Sequence, residues 1–246
     1  MQEPPKSRHR MLELLDGCAT WLVFIFVALS LTLLVALLPG EQRRRGAARQ
    51  AARAFLLLTR IPLTVRGLDQ LPAGPCIVAA NHASYLDGLV LTAVLPPRFG
   101  FVIKREMTRV PLAHFLLRRI GSAFVERFDT RRGARDARQV LALAEARQSL
   151  AFFPEGTFRV EPGLRRFQNG AFAAAARGDV PIVPVVIRGT RAMLPADAWL
   201  PRRHPLAVIV KPAVSHNGED DAVAVLRKAC RSSILADLDE PDLSTH

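Results

Sequence analysis

The chain has 246 residues, of which 50% are hydrophobic, so a folded domain with an appendage is expected and a disordered or fibrous protein is excluded. Its formal net charge of +12 favours an anionic partner, such as acidic lipid headgroups, a phosphorylated substrate or nucleic acid. The three cysteines show no C-x-x-C or Cys/His spacing, which predicts no disulfide framework, no metal site and a reducing compartment for the main body.

The first long apolar segment covers residues 20–38 and contains no charged residue. It is long enough to cross the hydrocarbon layer as a helix, or to lie deeply within one leaflet. No A-x-A-like cleavage site follows it, so a signal peptide is the weaker interpretation. Because the segment is apolar on every side, a buried core helix also fits poorly. We therefore predict a membrane-associated helix.

A cluster of arginines follows this segment, and it consists of Arg43, Arg44, Arg45, Arg49 and Arg53. The cluster is larger than the basic group upstream, which favours a cytoplasmic main domain if the segment spans the membrane. Residues 43–63 then change from arginine and alanine to AFLLL. This pattern predicts an interfacial helix whose arginines meet anionic lipid phosphates, with an ordinary connecting helix as the alternative.

From residue 63 onward, short apolar runs alternate with helical patterns. Strands are predicted at 63–67, 74–80, 99–106, 122–127, 149–155, 181–187 and 206–214. Helices are predicted near 85–95, 110–119, 131–148, 167–177 and 220–236. This alternation predicts an α/β domain with a mostly parallel sheet flanked by helices. In such folds the functional site lies at the carboxyl ends of the strands.

Four polar clusters fall at predicted strand ends, and the richest is NHASYLD at residues 81–87. His82 and Asp87 would point about 140° apart on a continuous helix, so they cooperate only if a turn separates them. One interpretation is structural, with a helix that starts at Ser84 as N-cap and has Asp87 in its first turn. The other is catalytic, with His82 as a general base and Asp87 holding its tautomer. The two interpretations are compatible.

The chemistry is further limited by what the sequence lacks. It has no G-x-S-x-G nucleophile elbow, and Cys76 falls within a strand, where a core position is expected. One histidine with scattered acids does not form a metal-ligand set, so no metal is expected. A histidine base without a protein nucleophile indicates activation of a substrate hydroxyl.

Other strand-end residues suit an anionic ligand. Lys104, Arg105 and Arg127 are typical of a phosphate contact, although a solvated arginine is the simpler alternative. The PEGT stretch at 154–157 predicts a tight turn in which Gly156 permits close approach of the backbone to a ligand. A plain β-turn is the alternative here.

Four blocks, in order, resemble those of the glycerolipid acyltransferase family. They are N-H-x4-D at Asn81, His82 and Asp87; G-x-x-F-x-x-R at Gly121, Phe124 and Arg127; F-P-E-G-T from Phe153 to Thr157; and V-P-I-V-P-V from Val180 to Val185. The resemblance runs from about residue 62 to 214. One departure is Phe158, which stands where the family often has arginine or serine, and Arg159 follows it.

The resemblance implies a fold, a domain division and a reaction. Residues 1–61 would form membrane-associated helices and residues 62–246 an acyltransferase domain of the glycerolipid acyltransferase fold. His82, oriented by Asp87, would deprotonate the free hydroxyl of a lysophospholipid, which then attacks the thioester of acyl-CoA or acyl carrier protein without a cofactor or an acyl-enzyme. The acceptor's phosphate region would be held by Arg127, Glu155, Gly156 and Thr157. Lys104 would assist with the phosphate or the oxyanion.

The implied activity is that of a 1-acylglycerol-3-phosphate acyltransferase that makes phosphatidic acid, on the cytoplasmic side of the cytoplasmic membrane. Its partners would be membrane lipids, the lysophospholipid acceptor and the acyl donor. A lyso-ornithine lipid or another lysolipid is the alternative acceptor, and a non-catalytic lipid-binding membrane protein is the alternative class. Nucleic acid is not expected as a partner, because no recognised binding module accompanies the positive charge.

Overall fold

The computed structural model describes residues 6–126, 130–216, 218 and 220–244. The helices are α1 (Lys6–Leu37), α2 (Glu41–Leu58), α3 (Asp87–Val94), α4 (Pro111–Arg119), α5 (Thr130–Glu145), α6 (Gly170–Arg177), α7 (Thr190–Met193) and α8 (Ala222–Leu235). The strands are β1 (Leu63–Arg66), β2 (Ile77–Ala80), β3 (Gly100–Lys104), β4 (Ala123–Val125), β5 (Leu150–Phe152), β6 (Leu164–Arg165), β7 (Ile182–Arg188), β8 (Leu206–Val210) and β9 (Asp242–Leu243). Short 3-10 turns cover Leu68–Gln70 and Arg105–Arg109.

Seven strands form one sheet in the order β1-β8-β7-β2-β5-β3-β4. All neighbours are parallel except β7 and β8, which run antiparallel, so the predicted mostly parallel sheet flanked by helices is confirmed. A separate parallel pair joins β6 to β9 near the end of the described chain. The sequence did not predict this pair, because strands of two residues are too short to show a periodic pattern.

The sheet is covered on both faces, and β2 shows how. Its side chains alternate, so Val78 and Ala80 pack in the cluster formed with α2 and α3. Ile77 and Ala79 pack in the opposite cluster, formed with α5, α6 and α8. All four residues of the strand are fully buried, which explains why it reads as a continuous apolar run.

Helix α1 begins at Lys6, well before the apolar segment, and its residues Arg10–Leu37 are long and apolar enough to cross a membrane. The helix ends two residues before Pro39, since a proline disfavours helical backbone in the residue that precedes it. Its last turns pack against the domain through Leu31 and Val35, which meet Ala48 of α2 and Ile120 after α4. One face of α1 is therefore fixed to the domain.

Arg44 and Arg45, near the start of α2, bond to the neighbouring backbone. Arg45 donates from Nε to the Ile120 carbonyl at 2.8 Å and from Nη2 to the Gly121 carbonyl at 3.2 Å. Arg44 donates from Nη1 to the Arg119 carbonyl at 3.2 Å. The last carbonyls of a helix lack intrahelical donors, so these guanidinium groups cap the end of α4. Burial lowers the pKa of Arg45 below its ordinary value.

The later arginines of α2, Arg49 and Arg53, donate to the last carbonyls of α3. Arg49 Nη2 donates to the Val94 carbonyl at 3.1 Å, and Arg53 Nε donates to the Ala93 carbonyl at 2.8 Å. The prediction that these arginines meet lipid phosphates is therefore wrong for three of the five, Arg44, Arg45 and Arg49, which are partly buried against these carbonyls. Arg43 and Arg53 are exposed, and for these two the lipid contact stays a prediction. The alternative, a connecting helix, describes α2 better, because its cations stabilise the ends of neighbouring helices.

Candidate active site

The turn between β2 and α3 covers residues 81–86 and lies at the carboxyl edge of the sheet. Asn81 fixes the start of the turn, since its Nδ2 donates to the Ile187 carbonyl at 2.9 Å and its Oδ1 accepts from the Ile187 amide at 2.7 Å. An asparagine side chain both donates and accepts, so it extends the pairing of β2 with β7 by one residue. His82 is thereby placed immediately beyond the sheet edge.

His82 and Asp87 are in direct contact, with 2.8 Å between Nδ1 and Oδ2. Asp87 is completely buried, whereas the His82 side chain keeps 17% of its surface exposed. An ionised carboxylate only accepts hydrogen bonds, so the proton lies on Nδ1 and Nε2 is left as the base. The structure brings the predicted pair together, and the catalytic roles of its members stay predictions.

Asp87 also holds the backbone of the turn. Its Oδ2 accepts from the amides of Ala83 and Ser84, at 2.6 and 2.8 Å. Helix α3 begins at Asp87 with Leu86 as its N-cap residue, so the predicted helix start at Ser84 is wrong. The Ser84 hydroxyl donates to the Leu194 carbonyl at 2.8 Å, and its oxygen accepts from the Leu86 amide at 3.3 Å, so it also holds the turn. The carboxylate is stabilised by the amides and by the helix N-terminus.

The FPEGT turn follows β5, which pairs with β2, so it lies beside the first turn. Glu155 Oε1 accepts from the His82 amide at 2.6 Å, and Oε2 accepts from the Arg165 amide at 2.9 Å. Gly156 has a φ of 82°, and its amide donates to the Phe153 carbonyl at 3.0 Å, which closes the turn. The sequence predicts Glu155 as a substrate contact, whereas the geometry gives its carboxylate a positioning role beneath His82.

The protonation state of Glu155 bears on this role. Burial raises its pKa from the ordinary 4.5 to about 7, against the opposing effect of hydrogen bonds from the Arg165 and His82 amides; the Asp87 charge raises it further. Only the ionised carboxylate accepts both hydrogen bonds without placing its own proton against an amide. The turn is therefore fully hydrogen-bonded only when Glu155 is deprotonated.

Aromatic rings enclose the imidazole. Phe153 stacks on His82 with 4.3 Å between ring centroids, and Phe158 meets its edge at 4.7 Å. Tyr85 in turn meets Phe158 at 4.6 Å. The sequence identified Phe158 only as a departure from the family pattern and missed these contacts. The signal was present in the phenylalanines that flank the PEGT turn, but it does not say which ring they meet.

An apolar cavity of about 340 Å³ reaches His82. Its far wall comes from the N-terminal helices, through Phe24 and Leu31 of α1 and Phe55 of α2. Its near end is lined by Phe158 and Gly156 beside the imidazole. This volume falls in the range of small-ligand sites, and an apolar lining with a few convergent polar groups is typical of them. His82 thus faces a cavity suited to a hydrocarbon chain.

The remaining predicted ligand contacts have four different outcomes. Lys104, at the end of β3, lines the cavity, and its contact with the phosphate or the oxyanion stays a prediction. Arg105 is instead paired with the buried Asp136, from Nη2 to Oδ1 at 2.5 Å and from Nε to Oδ2 at 3.1 Å. Thr157, the last residue of the FPEGT turn, is exposed. Arg127 lies outside the described residues, so its predicted phosphate contact stays a prediction.

Comparison with known proteins agrees with this arrangement. The chain is 32% identical over 136 residues to 1-acyl-sn-glycerol-3-phosphate acyltransferase BAT2, chloroplastic, of Brassica napus, with 54% of this chain and 39% of that protein covered. It is 34% identical over 149 residues to lyso-ornithine lipid O-acyltransferase of Pseudomonas aeruginosa, with 59% of this chain and 55% of that protein covered. The chain thus spans about half the length of the curated relatives it matches.

The same fold occurs in a solved structure, the 1-acyl-sn-glycerophosphate (LPA) acyltransferase PlsC from Thermotoga maritima. The TM-score is 0.73 at 18% identity, with 94% of this chain and 97% of that chain covered. A family model described as Acyltransferase matches residues 62–188, more than half of the chain, and contains both turns of the candidate site. The resemblance noted in the sequence is thereby confirmed: the chain belongs to the Acyltransferase family.

Proposed function

We propose that this protein transfers a fatty acyl group from a thioester donor to the free hydroxyl of a lysophospholipid. The observation that carries the proposal is the bonded pair of His82 and Asp87 at the mouth of an apolar cavity whose wall belongs to the N-terminal helices. A general base needs a hydroxyl to activate, and the apolar cavity suits an acyl chain beside it.

The reaction follows from the protonation states at the pair. Nε2 of His82 removes the proton of the acceptor hydroxyl, and the oxygen attacks the carbonyl carbon of the thioester. The carbon–sulfur bond then breaks, and the leaving thiolate takes the proton from the imidazolium. Asp87, held by two amides, keeps Nδ1 protonated and stabilises the imidazolium during the transfer.

The acceptor that we favour is 1-acyl-sn-glycerol-3-phosphate, which gives phosphatidic acid. Support comes from the activity for which the Brassica napus and Thermotoga maritima proteins are named and from Lys104 on the cavity wall. A lyso-ornithine lipid is the second candidate, favoured by the Pseudomonas aeruginosa relative and by Phe158, which offers no charge to a phosphate. Acyl-CoA or acyl carrier protein serves as donor, and no cofactor is required.

The protein works at the membrane surface, with α1 lying in one leaflet. Asp16 of α1 pairs with Arg203 at 3.3 Å, and Arg119 donates to the carbonyls of Val35 and Ala36 at 3.0 and 2.8 Å. These contacts span about 30 Å of helix, so α1 is attached to the domain over most of its length. A perpendicular crossing would draw the polar domain into hydrocarbon, which is costly.

The outward face of α1 carries large exposed apolar side chains. They are Met11, Leu12, Leu14, Leu15, Leu22, Ile25, Phe26, Leu29, Leu33, Leu34 and Leu37. An apolar surface of this extent marks a membrane contact. Since the basic residues lie at the ends of the segment, we place the domain on the cytoplasmic face.

The test is acyl transfer by the purified full-length protein in lipid–detergent micelles. Labelled acyl-CoA is supplied with lysophosphatidic acid, lyso-ornithine lipid or no acceptor, and the lipid product is measured together with released thiol. The no-acceptor sample measures the background in the thiol signal, because Cys18, the exposed cysteine among the described residues, contributes a thiol of its own. We expect phosphatidic acid and thiol in equal amounts, and a loss of at least about 100-fold in turnover for His82→Ala.

A His82→Ala protein with an unchanged Tm and normal turnover would overturn the proposed base. Thiol release with lyso-ornithine lipid but not with lysophosphatidic acid would make lyso-ornithine lipid the acceptor in place of lysophosphatidic acid. No transfer with either lipid, from acyl-CoA or from acyl carrier protein, would leave the non-catalytic lipid-binding alternative.

A further inference from the structure

We propose that residues 194–204, the loop between α7 and β8, form a second contact with the lipid surface, with Trp199 as its anchor. This inference rests on the membrane attachment that is part of the proposed function. It adds a site that lies in the domain, far along the sequence from the N-terminal helices.

The loop has the chemistry of the boundary between acyl chains and headgroups. The Trp199 side chain is 71% exposed, which is rare for so large an aromatic group. Arg202, Arg203 and His204 follow it within five positions and are exposed as well. Tryptophan combines an apolar ring with one N–H donor, and it is enriched where hydrocarbon meets water. Adjacent arginines favour anionic headgroups.

The loop is attached to the membrane helix at three successive points. Trp21 Nε1 donates to the Trp199 carbonyl at 2.7 Å. Leu200 packs so closely on Gly17 that a Cβ at that position would overlap it. Arg203 forms the ion pair with Asp16 one residue further along the helix.

These attachments place Trp199 beside a stretch of α1 that itself faces lipid. Leu22 and Phe26, the next outward residues along the helix, are 69% and 68% exposed. The Trp199 surface is therefore continuous with the apolar face of α1. This continuity favours the same lipid surface as its occupant, rather than a separate protein partner.

The loop is also bonded to the catalytic turn. The Leu194 carbonyl, at the start of the loop, accepts from the Ser84 hydroxyl at 2.8 Å. The Arg202 amide donates to the Met193 carbonyl at 2.7 Å, which closes the loop on itself. A contact of Trp199 with lipid would consequently hold the turn that carries His82 near the depth at which a lysolipid presents its hydroxyl.

Trp199 can be observed on its own, because the chain has only two tryptophans. In Trp21→Phe, Trp199 is the single indole fluorophore. The full-length variant is reconstituted into vesicles of phosphatidylcholine and phosphatidylglycerol whose acyl chains carry bromine near the headgroup or near the chain end. We expect the Trp199 emission to shift to shorter wavelength than in detergent. Bromines near the headgroup should quench it more strongly than bromines near the chain end, and iodide in the water should quench it little. Trp199→Phe, which leaves Trp21, serves as the companion sample.

An emission that stays at the position of water-exposed indole, is quenched by iodide and is indifferent to brominated lipid would overturn the proposal. A change produced by acidic acyl carrier protein in the absence of lipid would overturn it too, by making the loop a protein-docking site. The result does not depend on turnover, so loss of the anchor and failure of the proposed acyl transfer are distinguishable.

Vesicle binding gives a second readout. We expect Trp199→Ala to weaken binding to anionic vesicles about tenfold, and Arg202→Gln about fivefold at low salt. The matched control is Val225→Ala on α8, which removes an exposed apolar side chain elsewhere and should change nothing. Equal binding by all three variants would show that α1 alone holds the protein on the membrane.

Discussion

The turn at residues 81–87 and helix α2 both carry closely spaced polar side chains next to apolar sequence, yet they use them in opposite ways. In the turn, buried carboxylates hold amides so that one imidazole faces a cavity. In α2, four guanidinium groups donate to the carbonyls at the ends of α3 and α4. The first arrangement leaves a reactive group for a ligand, and the second satisfies the protein's own backbone.

The difference teaches that charge beside a long apolar helix does not by itself indicate lipid binding. A helix that ends inside a protein leaves carbonyl groups without donors, and an arginine with its five N–H groups satisfies several at once. Gly121 illustrates the tightness of this packing, because its φ is 71° and a Cβ there would overlap the side chains of Glu41 and Arg45. Substitutions in the two regions should therefore have different consequences.

The largest effect is expected from Asp87→Asn. The asparagine oxygen can still accept the three hydrogen bonds that now end on Oδ2, so the change chiefly removes the charge. Without that charge the imidazolium is not stabilised, and we expect kcat to fall about 100-fold or more. Turnover and Tm are measured on the purified variant. Full activity with an unchanged Tm would reduce Asp87 to a structural role.

A smaller effect is expected from Glu155→Gln. The glutamine has one accepting atom, so either the His82 or the Arg165 amide would face an N–H donor. We expect an approximately tenfold fall in kcat with little change in KM, since the base is displaced rather than removed. Glu161→Gln is the matched control, because it removes the same charge from an exposed position of the same loop. An equal response of the two variants would contradict the positioning role.

Glu155→Gln should also change the pH dependence of the protein's stability. The pKa of Glu155 is raised by burial to about 7, so its contribution to stability is fully present below the ordinary value of 4.5 and is lost as the pH rises through 7. Glutamine does not titrate. Thermal unfolding between pH 4.5 and 8 should therefore show the native protein losing stability relative to Glu155→Gln across this window, and a constant difference would refute the assignment.

The smallest effect on catalysis is expected from Arg45→Met, which keeps an unbranched apolar side chain but removes the donors. The carbonyls of Ile120 and Gly121 lose their partner, and we expect the free energy of unfolding to fall by about 1–3 kcal/mol. Turnover well below the Tm should stay nearly unchanged. Arg43→Met, at an exposed position of α2, should cost little stability. If Arg45→Met kept its Tm and lost binding to anionic vesicles, Arg45 would be a lipid contact rather than a cap for the end of α4.

The sequence predicted the elements better than their contacts. All seven strands of the main sheet were found, because apolar runs between turn residues are local signals. The pairing of His82 with Asp87 was also within reach, since both belong to one turn. By contrast, the stacking of Phe153 on His82 depends on β5 lying beside β2. No local sequence pattern predicts the order of strands in a sheet. The inward arginines of α2 escaped prediction for the same reason, because their acceptors are distant helix ends.

The hydrogen bonds that shape the catalytic turn have an evolutionary consequence. Asp87 and Glu155 hold the amides of His82, Ala83 and Ser84, which every residue type except proline possesses. These backbone hydrogen bonds therefore do not require a histidine at position 82. If the proposed function holds, a lineage that exchanged the histidine would keep these bonds, the scaffold and the cavity, so a change at one codon would separate catalysis from lipid binding.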